Sequence, residues 1–418
     1  MEVERYKRKY SFGEDYGTRF YKFGPIREKP DIIENAGYFI EDSLIKRLYG
    51  IDKDLIVGPE YRDYLGTKEE VQRNLVYPMK DGIIAKEDER AWRVIYEVTK
   101  YGLTRYKLME SEFKGYCVTA ALSAVAPNYM YEKIFEIHEK IDEETGLVRA
   151  VSVIPQPLAV AIANKETKCV VVESGHGNTQ ICPISLRAIS DAIAVLNRGG
   201  AEADMITAEI LRDAGYADLA REETVVRRIK EMIGLIPIDL DKAIKEAKSD
   251  PEKYKVSYRF PGTTIKIELE KEAWMRFLIG EIVFNPSHEI FASYYKRGFA
   301  IREGRLGDDI LPGEIDLGEA IVRSVEKVSL EIQEEVYRKI ILSGGNFMWK
   351  VPSGLEDVAC GAPTKVRLLL KKFDIEAGVK LTVDPQYAVW KGCIVWSVAV
   401  PLDYEWSWEK REGWYKWR

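Results

Sequence analysis

The sequence predicts an α/β protein of two lobes. Its 418 residues exceed what one hydrophobic core usually organises. Strand and helix signals alternate along the whole chain, as an α/β architecture requires. A hairpin pattern in which a strand ends in an acid, turns through glycine and continues as a second strand occurs twice, which implies two similar halves. A cleft between them is therefore expected. With 46% hydrophobic and 31% charged residues and no long polar tract, the whole chain should fold.

The first hairpin copy is YSFGEDYGTRFYKF, Tyr10 to Phe23, and the second is CVVVESGHGNTQI, Cys169 to Ile181. Each turn suits a phosphate, because glycine lets the backbone approach closely and successive N–H groups form an anion-binding concavity. On an extended strand Thr18, Phe20 and Lys22 share a face, so the Lys22 ammonium should reach an anion held at Gly17 and Thr18. The acids repel phosphate and suit a hydrated Mg²⁺ bridging its oxygens, so Asp15 and Glu173 are the expected metal pair, acting through water. A single D-x-G-T is most often an ordinary hairpin turn, and the second copy shifts that balance. A third glycine element, IILSGGN from Ile340 to Asn346, could approach a nucleotide base or sugar; strand-Gly-Gly is also a common structural turn.

Elsewhere, Asp316 with Glu319 looks like a capping box opening a helix whose buried face is Ile321, Val325, Val328 and Ile332. A second helix is expected from about Ala203 to Ala214, stopped by Gly215. The five cysteines (Cys117, Cys169, Cys182, Cys360, Cys393) are scattered, with no C-x-x-C and only three histidines to complete a metal site, and read as reduced core residues of a cytoplasmic protein. A net charge of −6 with both signs interspersed argues against nucleic acid as a partner. The charged start MEVERYKRKY and the short apolar stretch Ala388 to Val400, interrupted by Lys391, signal neither secretion nor a transmembrane segment. Little Asn and Gln beside much Lys, Glu and Arg is a balance associated with very hot environments.

Taken together these segments resemble the actin family, within the superfamily that also holds heat-shock chaperone ATPases and sugar kinases. Besides the hairpins, the matching segments are LIVG from Leu55, YPMKDGI from Tyr77, Ala91-Trp92, Ala126-Pro127, QPLAV from Gln156, LSGG from Leu342 and YAVWKG from Tyr387, in actin order and spacing. The Y-P-x-x-x-G-I and Y-x-V-W-x-G segments are features of actins and their close relatives, not of sugar kinases. Within actins, GHGN from Gly175, LNRGGAE from Leu196 and REGW from Arg411 look like the archaeal crenactins.

The resemblance implies an actin-like ATPase fold: two lobes, each with a duplicated ribonuclease H-like mixed sheet, and four subdomains around a nucleotide cleft. The matching ranges are 1–34, 76–163 and 386–418 for the first subdomain, 35–75 for the second, 164–198 and 284–385 for the third, and 199–283 for the fourth. It implies ATP or ADP with Mg²⁺ as cofactors. Asp15, Gly17, Thr18 and Lys22, with the backbone of Arg19 and Phe20, would sit at the β- and γ-phosphates, and Glu173, Gly175, His176, Gly177 and Asn178 would form the opposing loop. Gln156 matches the glutamine that positions the attacking water, with Asp15, Glu173 and Gln180 completing the catalytic set. A neutral amide suits that role, because phosphoryl transfer depends mainly on positioning. Gly200, Glu202, Arg227, Lys230, Glu231, Gly344, Gly345, Asn346 and Met348 match positions around base and sugar, with Lys230 and Glu231 nearest the adenine. Without the resemblance, Gln156 would read as a polar loop residue and Arg227 to Glu231 as a solvated helix face.

Four residues depart from eukaryotic actin: Glu173 replaces a shorter aspartate, His176 an acid, Gln180 a histidine and Gln386 a lysine. Backbone contacts to phosphate are compatible with all four, whereas metal geometry and rate are open to change, since Gln180 cannot shuttle a proton as imidazole can. Self-assembly into filaments, with possible accessory cytoskeletal proteins, is implied by the family. The alternative is a monomeric ATPase or small-molecule phosphotransferase of the same fold. A docking element is expected at LIKRLY, Leu44 to Tyr49, read equally well as a small amphipathic helix, within a subdomain tip of about Asn35 to Arg73. The stretch from about Asn285 to Gly313 is longer than in eukaryotic actin, and serves either inter-strand contacts or surface decoration. Trp406, Trp408, Trp414 and Trp417 are expected to pack on the first lobe.

Overall fold

A computed structural model describes residues 2–40, 46–48 and 50–417. The chain divides into two compact units, Met1–Glu166 with Gln386–Arg418, and Thr167–Pro385. Each is built on the same path of five strands. In the first unit the order is Asp31–Glu34, Phe20–Pro25, Ser11–Tyr16, Tyr116–Leu122, Val148–Pro155. The first three run antiparallel to one another and the last two are added in parallel. The second unit repeats this with Ala194–Asn197, Thr179–Ser185, Lys168–Ser174, Ile340–Ser343 and Val379–Leu381. Arg302–Leu306 and Asp309–Leu311 extend its outer edge. That path, three antiparallel strands then two parallel, is the ribonuclease H-like order, present once per unit.

The central strands are apolar runs, because helices cover both sheet faces. Cys169 to Val172 and Ile340 to Leu342 are fully buried in the second unit, and Val118, Ala120 and Leu122 in the first. All five cysteines are free and buried. Short insertions carry small sheets of their own: Gly37–Phe39, Leu55–Val57 and Leu75–Val76 in the first unit, and the hairpin Val256–Arg259 with Lys266–Leu269 in the second. Of the expected docking element, Lys46 to Leu48 is helical with Leu48 exposed, and the rest lies outside the described residues. Among the described residues no helix is long and apolar enough to cross a membrane.

Helix limits follow local chemistry. Gly200–Asp213 starts three residues before the expected Ala203 and ends as expected near Gly215, whose φ of 86° is the left-handed conformation that glycine adopts without strain. The Asp316 carboxylate caps its helix by accepting the Glu319 N–H at 2.8 Å. The single helix expected from there is two: Leu317–Glu326 ends, and Leu330–Tyr337 begins after an extended Ser329. Val325 and Val328 stay buried across the link, so one apolar series serves both pieces.

The C-terminal segment completes the first unit. The helix Ala388–Ala399 lies against Gln156–Ala163, the helix that follows the last strand of the first sheet. Contact is so close that a Cβ on Gly392 would stand 1.8 Å from the Ala159 carbonyl oxygen. Lys7, fully buried, donates to the Val398 and Val400 carbonyls at 3.1 and 2.5 Å, a cation at the helix's negative end. Trp414 is buried, Trp406 packs edge-on against Phe135, and Trp417 donates to Asp142, so these rings close the first unit. Trp408 is the more exposed ring, packed edge-on to Phe135 and Trp406. Gly392→Ala should force the two helices apart and lower stability by about 3 kcal/mol, read as a fall in the urea midpoint; an unchanged midpoint would show that the helices separate freely.

Candidate functional site

In the first unit the acidic hairpin is closed by one hydrogen bond, from the Gly17 N–H to the Phe20 carbonyl at 3.0 Å. Asn35 then fixes the turn from outside: its side-chain amide donates to the Gly17 oxygen and its backbone N–H to the Arg19 oxygen, each at 2.9 Å. The Thr18 hydroxyl accepts the Gly82 N–H at 3.1 Å. Thr18 thus belongs to the turn and not to the extended strand, so only Phe20 and Lys22 have the strand spacing expected of all three. A β-strand cannot include the residues that reverse it. Arg19 is buried, pairs with Glu34 at 3.1 Å and lies over the Tyr77 ring at 4.2 Å.

Asp15 and Lys22 face each other in the antiparallel register, and the ammonium sits 2.6 Å from one carboxylate oxygen. The other oxygen accepts the Gln156 amide at 2.9 Å, and the same amide nitrogen is 3.2 Å from the Tyr16 carbonyl. Gln156 is the first residue of the Gln156–Ala163 helix, held there because Pro155 ends the preceding strand. Both Asp15 oxygens are therefore engaged. A metal served by this carboxylate fits best through its bound waters, using the remaining lone pairs. Among the described residues no group of three or more His, Cys, Asp or Glu side chains is placed to ligate a metal directly.

Beneath this turn lies a polar cluster that sequence reading missed. Glu14 is fully buried and accepts from the Tyr16 hydroxyl at 2.8 Å and the Tyr21 hydroxyl at 2.7 Å. His138 Nε2 lies 3.0 Å away. Because its Nδ1 faces the Ile134 carbonyl at 2.8 Å, Nδ1 carries a hydrogen. Burial holds both tyrosine hydroxyls well above their usual pKa, so they stay protonated donors.

The second unit repeats the closure: the Gly175 N–H donates to the Asn178 carbonyl at 3.0 Å. Glu173 faces Gln180 in the register that Asp15 and Lys22 occupy, with 3.5 Å between carboxylate and amide. The carbonyls of Gly175 and His176 accept from the Gly200 and Ala201 N–H groups at 3.0 and 2.8 Å, joining the turn to the start of the Gly200–Asp213 helix. Close approach requires glycine twice. A Cβ on Gly199 would be 2.5 Å from the Gly175 oxygen, and one on Gly344, at φ 100°, would be 2.1 Å from the Ser174 oxygen.

A directed chain of hydrogen bonds runs through this unit. The Asn346 amide donates to Gly175 O at 2.6 Å and to the Ser174 hydroxyl at 3.0 Å. Thr179 gives its proton to the Arg198 carbonyl at 2.9 Å, so in the 2.7 Å contact between the two hydroxyls Ser174 is the donor. Glu202 accepts the Gly199 N–H at 2.7 Å. Lys230 is buried, donates to the Gly200 carbonyl at 3.1 Å and pairs with Asp204 at 2.8 Å. The other Asp204 oxygen is 3.8 Å from the His176 ring.

These contacts gather Gly175, His176, Asn178, Gly200, Glu202, Lys230, Gly344, Gly345 and Asn346. A Cβ on Gly345 would meet nothing within 4 Å, so open space adjoins that turn. Trp349 donates to the Lys230 carbonyl at 3.1 Å, fixing the third turn to the Glu223–Ile233 helix. Glu231 lies on another face of that helix, exposed and 4.0 Å from Arg228. Arg227 is half-buried, and Met348 is exposed at the end of the third turn. Sequence reasoning missed Asn35, Ser174, Thr179, Arg198 and Asp204. Only Asp204 carried a local signal, four residues after Gly200 and so on the same helix face.

Comparison with known proteins agrees with this geometry. The sequence model of the family described as Actin matches residues 36–399. Actin-related protein 2 of Saccharomyces cerevisiae is 28% identical over 358 residues, 82% of this chain and 79% of that protein. An actin-like protein of Neurospora crassa is 27% identical over 324 residues, 76% and 73% of the two chains. With the family matched over most of its length and the duplicated sheet in place, this chain belongs to the actin family and has the actin-like two-lobe fold.

Proposed function

We propose that the chain binds and hydrolyses ATP and assembles with copies of itself into cytoskeletal filaments, in the manner of the archaeal crenactins it resembles, with nucleotide state switching assembly. The observation that carries this is the repeated turn: an acid, a residue, then a glycine whose N–H closes onto the carbonyl three residues on, at Gly17 and again at Gly175. Membership of the actin family supports ATP as the ligand of such turns. In this reading the Gly17–Phe20 and Gly175–Asn178 turns offer backbone N–H groups to phosphate oxygens. Gly200, Glu202, Arg227, Lys230, Glu231 and the Gly344–Met348 turn surround the nucleoside. Mg²⁺ would be held through water by Asp15 and Glu173, and would neutralise phosphate charge.

Hydrolysis needs a water aligned with the terminal phosphate. The Gln156 amide group is held by Asp15 and Tyr16 through its nitrogen, which directs its other functional atom, the carbonyl oxygen, to accept from that water. Gln180 neighbours Glu173 and contributes positioning without proton transfer. Lys22 stands at Asp15 and supplies positive charge beside the first turn. The protein acts in the cytoplasm, with itself as main partner and accessory cytoskeletal proteins as further ones.

Sedimentation with negative-stain microscopy should show filaments with ATP and fewer with ADP; a monomer under every condition would leave the monomeric ATPase or phosphotransferase reading in place of the filament. Gln156→Ala should slow phosphate release at least about tenfold, the weight of one positioning hydrogen bond, while ATP binding measured by fluorescence holds. Unchanged hydrolysis would remove Gln156 from the reaction. Gly345→Val places a side chain in open space, so the fold should stand and ATP affinity should fall about tenfold or more, ~1.4 kcal/mol. Full affinity would move the nucleoside away from this turn.

A further inference from the structure

The segment 285–313 reads from sequence either as a filament contact or as decoration, and its packing favours neither. It lays a strand pair, Arg302–Leu306 and Asp309–Leu311, along the edge strand Ala194–Asn197, with Ala194 facing Leu306 and Asn197 facing Arg302 around a bulge. Its glycines allow close approach, to that edge and within the segment. A Cβ on Gly304 would lie 2.5 Å from the Val195 oxygen, and one on Gly313 would lie 2.3 Å from the Ile301 oxygen. Gly307, at φ 55°, turns the hairpin. The Asn197 side chain donates to the Glu303 carbonyl at 2.6 Å.

The next residue, Arg198, has its side chain fully buried. Its guanidinium donates through Nε to the Val283 carbonyl at 3.1 Å and through Nη1 to the Gly313 carbonyl at 3.0 Å. Val283 is in the last turn of the Arg276–Phe284 helix, whose carbonyls lack partners within the helix and favour a cation. The fork thus fastens one end of the segment, Gly313, to the helix that leads into the other. On the backbone side, Arg198 is followed by Gly199 and Gly200, and its carbonyl ends the hydrogen-bond chain from Asn346 through Ser174 and Thr179. A buried cation whose hydrogen bonds go to carbonyls, with the Asp316 and Glu202 carboxylates acting on it only through charge, is costly, and an aliphatic residue would fill the volume more cheaply.

We propose that Arg198 is a positioning residue of the nucleotide half-site in the second unit, and that the strand pair 302–311 is the brace it acts through. Arg198 does not touch the nucleotide. It holds Gly199 and Gly200, whose neighbours Gly175 and His176 form the second phosphate turn, at the height that the brace sets. Burial pulls the guanidinium pKa down to about 10, which still leaves it charged at neutral pH. The inference rests on the ATP reading above and says which parts of the chain sustain it.

The test is ATP affinity of the full chain, measured by isothermal titration beside thermal unfolding. Arg198→Met keeps the volume and removes both bonds; affinity should fall about tenfold or more, the weight of a charge-assisted hydrogen bond. Arg198→Lys, which can reach one carbonyl, should recover part of that loss. Asn197→Ala, a milder cut at the other end of the brace, should weaken ATP about threefold, and it keeps the proposal testable should Arg198→Met fail to fold. Ile321→Ala, in the core away from the turns, should lower the melting temperature and leave affinity alone. Equal affinity losses in Arg198→Met and Ile321→Ala at matched stability would overturn the proposal, as would wild-type affinity in Arg198→Lys and Asn197→Ala. If the wild-type chain itself binds no ATP, the functional reading fails instead.

Discussion

The hydrogen bond from a glycine N–H to the carbonyl three residues on, made at Gly17 and again at Gly175, is the constraint that the other features serve. It folds each acidic strand end back within four residues. In doing so it puts successive amides on one side of the turn and sends its carbonyls outward, where they need partners. Asn35 supplies those partners in the first unit, and Gly200, Ala201 and Asn346 in the second. A turn whose carbonyls are drawn to protein donors leaves its amides able to face an anion.

The two units share a backbone and differ in charge. At the register position opposite the acid, the first unit places Lys22 and the second places Gln180. Lys22 with Asp15 forms a largely buried ion pair, whose desolvation is offset by the second hydrogen bond that Asp15 takes from Gln156. Glu173 lies 3.5 Å from the Gln180 amide and stays partly exposed. The longer carboxylate thus belongs to the unit whose register partner is an amide rather than a cation. Duplication preserved the turn while the chemistry around it diverged.

The hairpins, the third glycine turn and the α/β class were legible because their signals are local: an acid and a glycine two residues apart, apolar runs, and turn residues. What was not legible depends on residues distant in sequence. The chain through Asn346, Ser174, Thr179 and Arg198 joins positions up to 172 apart, and no short motif encodes it. Glu14 reads as a polar residue in a strand until His138, 124 residues later, meets it. The helix expected through Ile332 failed for a different reason. An apolar series at helical spacing is satisfied equally by one helix and by two joined over a tight link, so periodicity could not see the break at Ser329. Lys230 and Glu231, adjacent in sequence, point to different faces because each helical step turns about 100°.

On the proposed function, the departures from eukaryotic actin would bear on hydrolysis more than on binding. Replacing an imidazole by Gln180 removes a group that could take a proton, and replacing an acid by His176 would change the charge beside the proposed phosphate site. Neither alters the backbone N–H groups, which side-chain substitution leaves in place. In the ATP reading proposed above the water would be oriented by an amide, and the Gln156 amide is held in place by the Asp15 carboxylate and the Tyr16 carbonyl, which both accept from its nitrogen. An amide so held can present only its oxygen to water. On that proposal the first unit would carry the residues of the chemical step, while the second, through Asn346 and Arg198, would carry the support for the nucleotide's position.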